Sequence, residues 1–395
     1  MLNRELIDYE FSNIKDIIFL NISSVVVPPK CVQDAYFNFM KQYVETYSKT
    51  AVSDGWKIVN SARKNVAKLI NAKPLEIAFV KNTSEGMGII ANGLALKPGD
   101  NIIVFDQEFP ANLYAWINLQ SKGVELSVVR SKEDKIVIDD IVDVIDRNTK
   151  VIAISAVQFT TGFYIELMKL GEICKANNII FVVDGIQAVG RLNIDVKEMN
   201  ISYLVCGGYK GLLSTFGAGF VFCDSAIIND ITPLSANHQS VINCDNTFKM
   251  PKDFSKIEWH EDSRRLEAGN LDFAGIAAID AGVKLINELG IREIEKHVLQ
   301  LQQELIQNIS HLPIKFKTPL EKENYSGILS IYYPRIIEKE VKEIIEKYKI
   351  VATVKDNYIR IGVNFYNTKE QMIKVAEAFD EAANIIYNRF LKCFY

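Results

Sequence analysis

The sequence predicts an α/β protein: a mainly parallel sheet covered by helices, followed by a smaller α+β unit. Three observations carry this. Between about residues 75 and 225, short β-branched runs alternate with stretches of helical spacing that stop at Asn or Gly. The runs are continuously apolar, as strands buried on both faces are. Beyond Gly290 the alternation of short strands and helices resumes on a smaller scale.

The elements follow in order. "NIIVF" (101–105), "VELSVV" (124–129), "KVIAISAV" (150–157), "NIIFVVD" (178–184), "ISYLVCGG" (201–208) and "GAGFVFC" (217–223) read as strands. Between them "ANLYAWINLQSKG", "IDDIVDVIDRN" and "LMKLGEICKANN" read as helices. Only "YKGLLSTF" separates the last two strands, too little for a helical crossover, so "GAGFVFC" is expected to run antiparallel to its neighbour. Residues 226–265 lack periodicity and read as a long ordered loop. "LDFAGIAAIDAGVKLINELG" is a strong helix stopped by Gly290, and a second helix covers about 291–310. "GILSIYY", "KEVKEIIEKY", "IVATV", "YIRIGVNF" and a closing helix complete the smaller unit.

Composition narrows the function. At 395 residues and 48% hydrophobic content the chain can bury a large core, in two domains or in one large domain with a smaller one. Lys and Arg number 45 against 49 Asp and Glu, so no global positive field draws nucleic acid. There is no apolar run of about 18 residues, and the charged start "MLNRELIDYEF" does not read as a signal peptide. The six cysteines (31, 174, 206, 223, 244, 393) include no CxxC pair, and the four histidines (238, 260, 297, 311) form no HExxH cluster. A cytoplasmic protein with reduced thiols and no metal site is expected.

Two residues stand out for chemistry. Asp184 closes an apolar run in "VVDGIQAVGR", at the end of a strand where ligands of open α/β sheets bind, although a lone acid there is often only a helix cap. Lys210 stands in "CGGYKGLLSTFGAGF" among glycines, cysteine and tyrosine. A lysine with restricted hydration loses its proton more easily, which imine formation requires. The pair suggests a pyridoxal phosphate site: a lysine for the Schiff base and an acid facing the pyridine nitrogen. "KNTSEGMGIIANGL" (81–94) adds a phosphate cradle, with hydroxyls from Thr83 and Ser84 and a helix N-terminus behind them. Taken alone, that stretch would read as a plain N-cap.

Together with "QEFPANLYAW", "VVDGIQAVG", "GGYKG", "GAGFVF", "RRLEAGN" and "IRIGVNFYNTKEQ", these residues make nearly the whole chain resemble the class V aminotransferase family. That family is the fold type I pyridoxal phosphate group that includes cysteine desulfurases, isopenicillin epimerase-like proteins and kynureninase. The resemblance implies a large cofactor domain (21–275) with a seven-stranded-type sheet, a small α+β domain (276–395), and an N-terminal segment (1–20) packed on the latter. It also implies roles. Lys210 matches the Schiff-base lysine and Asp184 the partner of the pyridine nitrogen. Gln187 matches the residue bonded to the phenolic oxygen or imine, and Phe109 the ring stacked on the cofactor. Thr83, Ser84 and Tyr209 match phosphate ligands. Arg360 matches the arginine that grips the substrate carboxylate through two parallel hydrogen bonds, with Asn21 and Ser24 near the substrate. "RRLEAGN" resembles the segment that crosses a homodimer to the neighbouring phosphate; Asn270 stands where threonine is usual.

The chain departs from the family pattern in places. "AVQFTTG" offers Gln158 one position before the usual asparagine. Gly207 replaces a phosphate-binding serine. The stretch "YKIVATVKDNYIR" lacks the nucleophilic cysteine that desulfuration needs. The expectation is a homodimeric enzyme acting at the α-carbon of an amino acid, by transamination first. A C–S or β-elimination lyase, a desulfurase-like enzyme and an epimerase stand as alternatives, and a non-catalytic ligand sensor comes last.

Overall fold

The computed structural model describes residues 2–242, 255–333, 338–355 and 357–392, with side chains in the last helix as far as 385. Helix α1 (Arg4–Glu10) and the two-residue strand β1 (Ile18–Phe19) lead into helices α2 (Lys30–Glu45) and α3 (Ala51–Leu69). There follow β2 (Ile77–Val80), α4 (Thr83–Gly93), β3 (Asn101–Phe105), α5 (Pro110–Ile117), β4 (Glu125–Val129) and α6 (Ile138–Val142). Then come β5 (Thr149–Ser155), α7 (Leu167–Ala176), β6 (Ile180–Asp184), β7 (Tyr203–Gly207) and β8 (Gly219–Cys223).

Strands β2 to β8 form one seven-stranded sheet in the order β2-β8-β7-β6-β5-β3-β4. Its pairings are parallel except those of β8, which runs antiparallel to both β7 and β2, as the short "YKGLLSTF" link requires. The continuous apolar runs have a direct structural reason. Successive side chains of a strand point to opposite faces. Ile103 and Phe105 therefore pack with Ile152, Ile154, Phe181 and Val183 on one face, while Ile102 and Val104 pack with Val151, Ala153 and Val182 on the other. Each such side chain contributes about 2 kcal/mol when fully buried. Gly86 lets α4 lie directly on the sheet, since a Cβ there would meet Val205 Cγ1 at 2.5 Å.

Helix α8 (Phe273–Leu289) packs along α2 and α3, and α9 (Ile291–Ile309) packs against α11 (Lys369–Lys392). Between α9 and α11 lie β9 (Lys315–Phe316), β10 (Ile328–Tyr332), α10 (Glu338–Lys347), β11 (Ile350–Val351), β12 (Thr353–Lys355) and β13 (Tyr358–Gly362). Strands β12-β13-β10-β9 make an antiparallel four-stranded sheet, and β11 pairs in parallel with β1.

Three sequence expectations change. The helix expected over 138–148 stops at Val142, because Asp146 turns the chain by accepting from the Asn148 amide and the Thr149 hydroxyl. "IVATV" is two strands, since its halves pair with different partners, β1 and β13. Strands β1, β2 and β9 are additional; two to four residues carry no readable period. The irregular 226–265 stretch holds only short helical turns and isolated bridges among its described residues. Residues 243–254, with Cys244, and Cys393 lie outside the described residues.

Candidate active site

Parallel pairing brings the carboxyl ends of β5, β6 and β7 to one edge, where Ser155 stands opposite Asp184 and Asp184 opposite Val205. Asp184 is buried. Its Oδ1 accepts from the Ile186 amide at 3.0 Å, and its Oδ2 has no protein partner. Lys210, three residues past β7, is also buried, with Nζ 5.9 Å from the centre of the Phe109 ring and 5.7 Å from that of Tyr209. Burial pushes Asp184 up to about 7, and the Glu108 charge adds to this while Lys210 opposes it. Burial brings Lys210 down to about 8; Asp184 holds it up, and the Arg360 and Arg191 charges press it down further. An amine of that kind is available as a nucleophile and base near neutral pH.

The cradle expected at 81–94 takes a definite form. Asn82, not Thr83 or Ser84, caps α4, its side chain accepting from the Glu85 amide at 2.9 Å. Thr83 is thereby released from capping, and its Oγ1 is buried without a protein partner. That oxygen lies 3.3 Å from where a Cβ on Gly207 would stand, and the same point is 3.2 Å from Tyr209 Cε1 and 3.1 Å from Ile186 Cδ1. Thr83, Gly207 and Tyr209 therefore converge, whereas Ser84 is exposed at the helix surface. The Tyr209 ring packs on Phe216, with centroids 4.7 Å apart.

The remaining ring-side candidates are already engaged. Gln187 donates Nε2 to the Ser23 carbonyl at 2.8 Å, which ties it to the N-terminal segment. Gln158 donates Nε2 to Glu108 Oε1 at 3.0 Å, and its own Oε1 is buried without a protein partner. Phe109 is 40% exposed and meets Phe159 edge to face at 5.1 Å. Asn270 is exposed and shares a surface cavity with Lys81, Glu85 and Gly217.

Arg360 on β13 is buried within a hydrogen-bonded array. Nη1 donates to the Phe159 carbonyl at 2.6 Å, and Nη2 to Ser24 Oγ at 2.7 Å and Thr353 Oγ1 at 3.5 Å. Thr353 in turn donates to Asn21 Oδ1 at 2.7 Å and lies 2.9 Å from Ser24 Oγ. Thus Asn21, Ser24 and Arg360 come together through Thr353. The Nε–H is buried without a protein partner, and the 3.5 Å contact of Nη2 to Thr353 is the one an incoming carboxylate can displace.

Glu108, Thr353 and Arg191 were not among the expected residues. Glu108 had one signal, the i, i+4 series Glu108–Asn112–Trp116, which the structure shows as a buried chain of hydrogen bonds. Thr353 had none. Arg191 stands in "VVDGIQAVGR" and binds the Gln187 and Val363 carbonyls.

The polar groups present fit pyridoxal phosphate. Asp184 Oδ2, Thr83 Oγ1 and Gln158 Oε1 are buried oxygens lacking protein partners, and Asp184 acts on a lysine of lowered proton affinity. The aminotransferase class-V family model matches residues 19–375, and the chain belongs to that family, whose members are pyridoxal phosphate enzymes acting on amino acids. A probable cysteine desulfurase of Methanothermobacter thermautotrophicus is 25% identical over 94% of this chain and 96% of its own. The apo cysteine desulfurase of Thermococcus onnurineus NA1 superposes with a TM-score of 0.86 at 22% identity, over 97% of this chain and 98% of that one. The cystine C–S lyase C-DES, in complex with its product cysteine persulfide, gives 0.84 at 18% identity, over 93% and 98%.

Proposed function

We propose that this protein binds pyridoxal phosphate and catalyses transamination of an amino acid. The observation that carries the reading is the pairing of Lys210, brought down to about 8, with Asp184 at adjoining strand ends. Lys210 would hold the cofactor covalently, Asp184 would face its ring nitrogen, and Thr83, Tyr209 and the α4 amides would hold its phosphate. Bound there, the cofactor supplies an electron-withdrawing ring that stabilises negative charge at the substrate α-carbon. Lys210 is the group that takes and returns the α-proton, since its proton affinity lies near working pH. Arg360 holds the substrate carboxylate, and the Phe159 carbonyl and Ser24 fix the plane of its guanidinium. Phe109 covers the ring. A second copy of the chain is the natural occupant of the exposed surface around Asn270, and the cytoplasm the natural compartment. Among the described residues no helix is long and apolar enough to cross a membrane.

A second reading, direct C–S or β-elimination, is favoured by the thiols. Burial raises Cys31, Cys174 and Cys223 to about 12 and Cys206 well above its usual value, so none of the four described cysteines offers a thiolate for persulfide formation. A direct lyase needs none, and C-DES is named as one.

The test is the visible spectrum of the purified protein with pyridoxal phosphate while L-amino acids, cysteine included, are added in turn. Loss of the band with one amino acid and recovery with a keto acid identify a transaminase. A persisting band with release of sulfide or keto acid identifies a lyase. No band at all defeats both readings.

A further inference from the structure

Glu108 has no part in the chemistry above, yet it is buried and accepts four hydrogen bonds. They come from the Ser155 amide at 2.9 Å, the Ser155 hydroxyl at 2.5 Å, Gln158 Nε2 at 3.0 Å and Asn112 Nδ2 at 2.8 Å. Asn112 is itself held by Trp116 Nε1 at 3.0 Å. The carboxylate therefore ties the start of α5 to the end of β5 and to the turn that begins at Gln158, directly beside Asp184 on the next strand. Burial pushes the Glu108 carboxyl up while the bonds from Ser155, Gln158 and Asn112 hold it down; in its ionised form it only accepts, and four donors saturate it. Gln158, by contrast, has two chemically opposite ends. A neighbour that can only accept decides which end faces inward.

We propose that Glu108 is a positioning residue for the cofactor: it holds the Gln158 amide nitrogen to itself, so that the carbonyl oxygen faces the bound ring and accepts from its phenolic hydroxyl. The inference rests on the pyridoxal phosphate reading of the site. It is supported by the buried, unpartnered Gln158 Oε1, and by the Glu108 charge felt at Asp184. The titratable and charged groups around the two carboxylates are Lys210, Cys206 and Tyr209, with Arg360 and Arg191 acting on Lys210.

The experiment is a double-mutant cycle on pyridoxal phosphate affinity, read by absorbance titration of wild type, E108Q, Q158L and the double variant. If Glu108 acts through Gln158, each single substitution weakens binding about tenfold, the value of one hydrogen bond, and the double variant is no weaker than either. Losses that multiply to about a hundredfold, or an unchanged E108Q, overturn the proposal. Should E108Q fail to fold, cofactor-free Q158E and Q158M decide. A second carboxylate against an acceptor-only neighbour lowers the melting temperature of Q158E below that of Q158M at pH 8, and the difference closes in acid, where the two carboxyls share a proton. Equal melting temperatures at pH 8 overturn the contact. A wild type that does not bind pyridoxal phosphate defeats the reading of the site and the inference with it; a wild type that binds, with independent variants, defeats the inference alone.

Discussion

The two ends of the site are finished to different degrees. At the strand ends of the large sheet, Asp184 Oδ2, Thr83 Oγ1 and Gln158 Oε1 are buried without protein partners, and two titratable groups are displaced toward each other's range. At the small sheet, Arg360 already has three hydrogen bonds and an array of hydroxyls around it, and its Nε–H alone among its donor nitrogens has no protein partner. Leaving polar groups buried and unmade costs stability, so the first end is built for a resident ligand that completes it. The second is held in shape by the protein alone, as suits a group that must release its ligand each turnover. Breaking one end should therefore abolish chemistry, and breaking the other should weaken binding.

The largest effect is expected at the unfinished end. Lys210→Ala should lose the visible band and reduce turnover by a factor of about a thousand or more, since the proposed covalent attachment and the proposed α-proton base both vanish. The melting temperature of the cofactor-free variant should not fall, because a buried amine has been removed. A yellow, active K210A would remove the basis of the comparison.

Arg360 comes next. Arg360→Lys keeps the charge but loses the fork, so KM for the amino acid should rise about thirtyfold to a hundredfold with a smaller change in kcat. The charge has its own signature. Arg360 presses Lys210 down, so in the cofactor-free protein Arg360→Met should move the pH profile for modification of the Lys210 amine upward while Arg360→Lys leaves it in place. Equal profiles for the two variants would show that the guanidinium does not sense Lys210.

How much of this the sequence displays depends on how local each device is. Asp184 and Lys210 are legible because each closes or follows one apolar strand and stands among neighbours that cannot solvate it. The seven-stranded sheet is legible in six of its strands; the four-residue β2 is not. The Arg360 array draws on residues 21, 24, 159 and 353, and no periodicity links segments that meet only when β12, β13 and the N-terminal stretch pack together. Glu108 escapes for a different reason, since an acid just before a helix reads as an ordinary helix start. Gly207 was legible only as a missing hydroxyl. In the structure its missing side chain is what lets Thr83, Ile186 and Tyr209 close on one point.

The pH dependence of stability sharpens the contrast. Asp184 sits above its unfolded value, so the folded cofactor-free protein binds more protons there, and stability falls as pH rises from about 4 to about 7. Lys210 sits below its unfolded value, so the unfolded chain binds more protons, and stability recovers as pH rises from about 8 toward 10.5. Chemical denaturation of the cofactor-free protein across this range should show a dip near neutrality. Asp184→Asn should erase the acid-side slope. It should also draw the Lys210 recovery to lower pH, because the anion that holds the lysine up is gone. A D184N variant with the wild-type slope would mean that Asp184 titrates normally.

The smallest effect belongs to Thr353, and it tests whether the finished end is finished by the protein. Its hydroxyl donates to Asn21 Oδ1, lies 2.9 Å from Ser24 Oγ, and is only 3.5 Å from Arg360 Nη2. The long contact is the easiest for an incoming carboxylate to displace, whereas the short ones hold Ser24 against the guanidinium. Thr353→Val keeps the shape, which a β-branched position in a strand tolerates, and removes the hydroxyl. KM should rise about threefold to tenfold, the net value of one hydrogen bond, with kcat and the visible band unchanged. Thr353→Ser should restore the wild-type value, because it returns the oxygen and loses only a methyl group. If T353V instead lowers kcat at constant KM, Thr353 acts on the reacting atoms, and the division between a ligand-completed end and a self-sufficient one no longer holds.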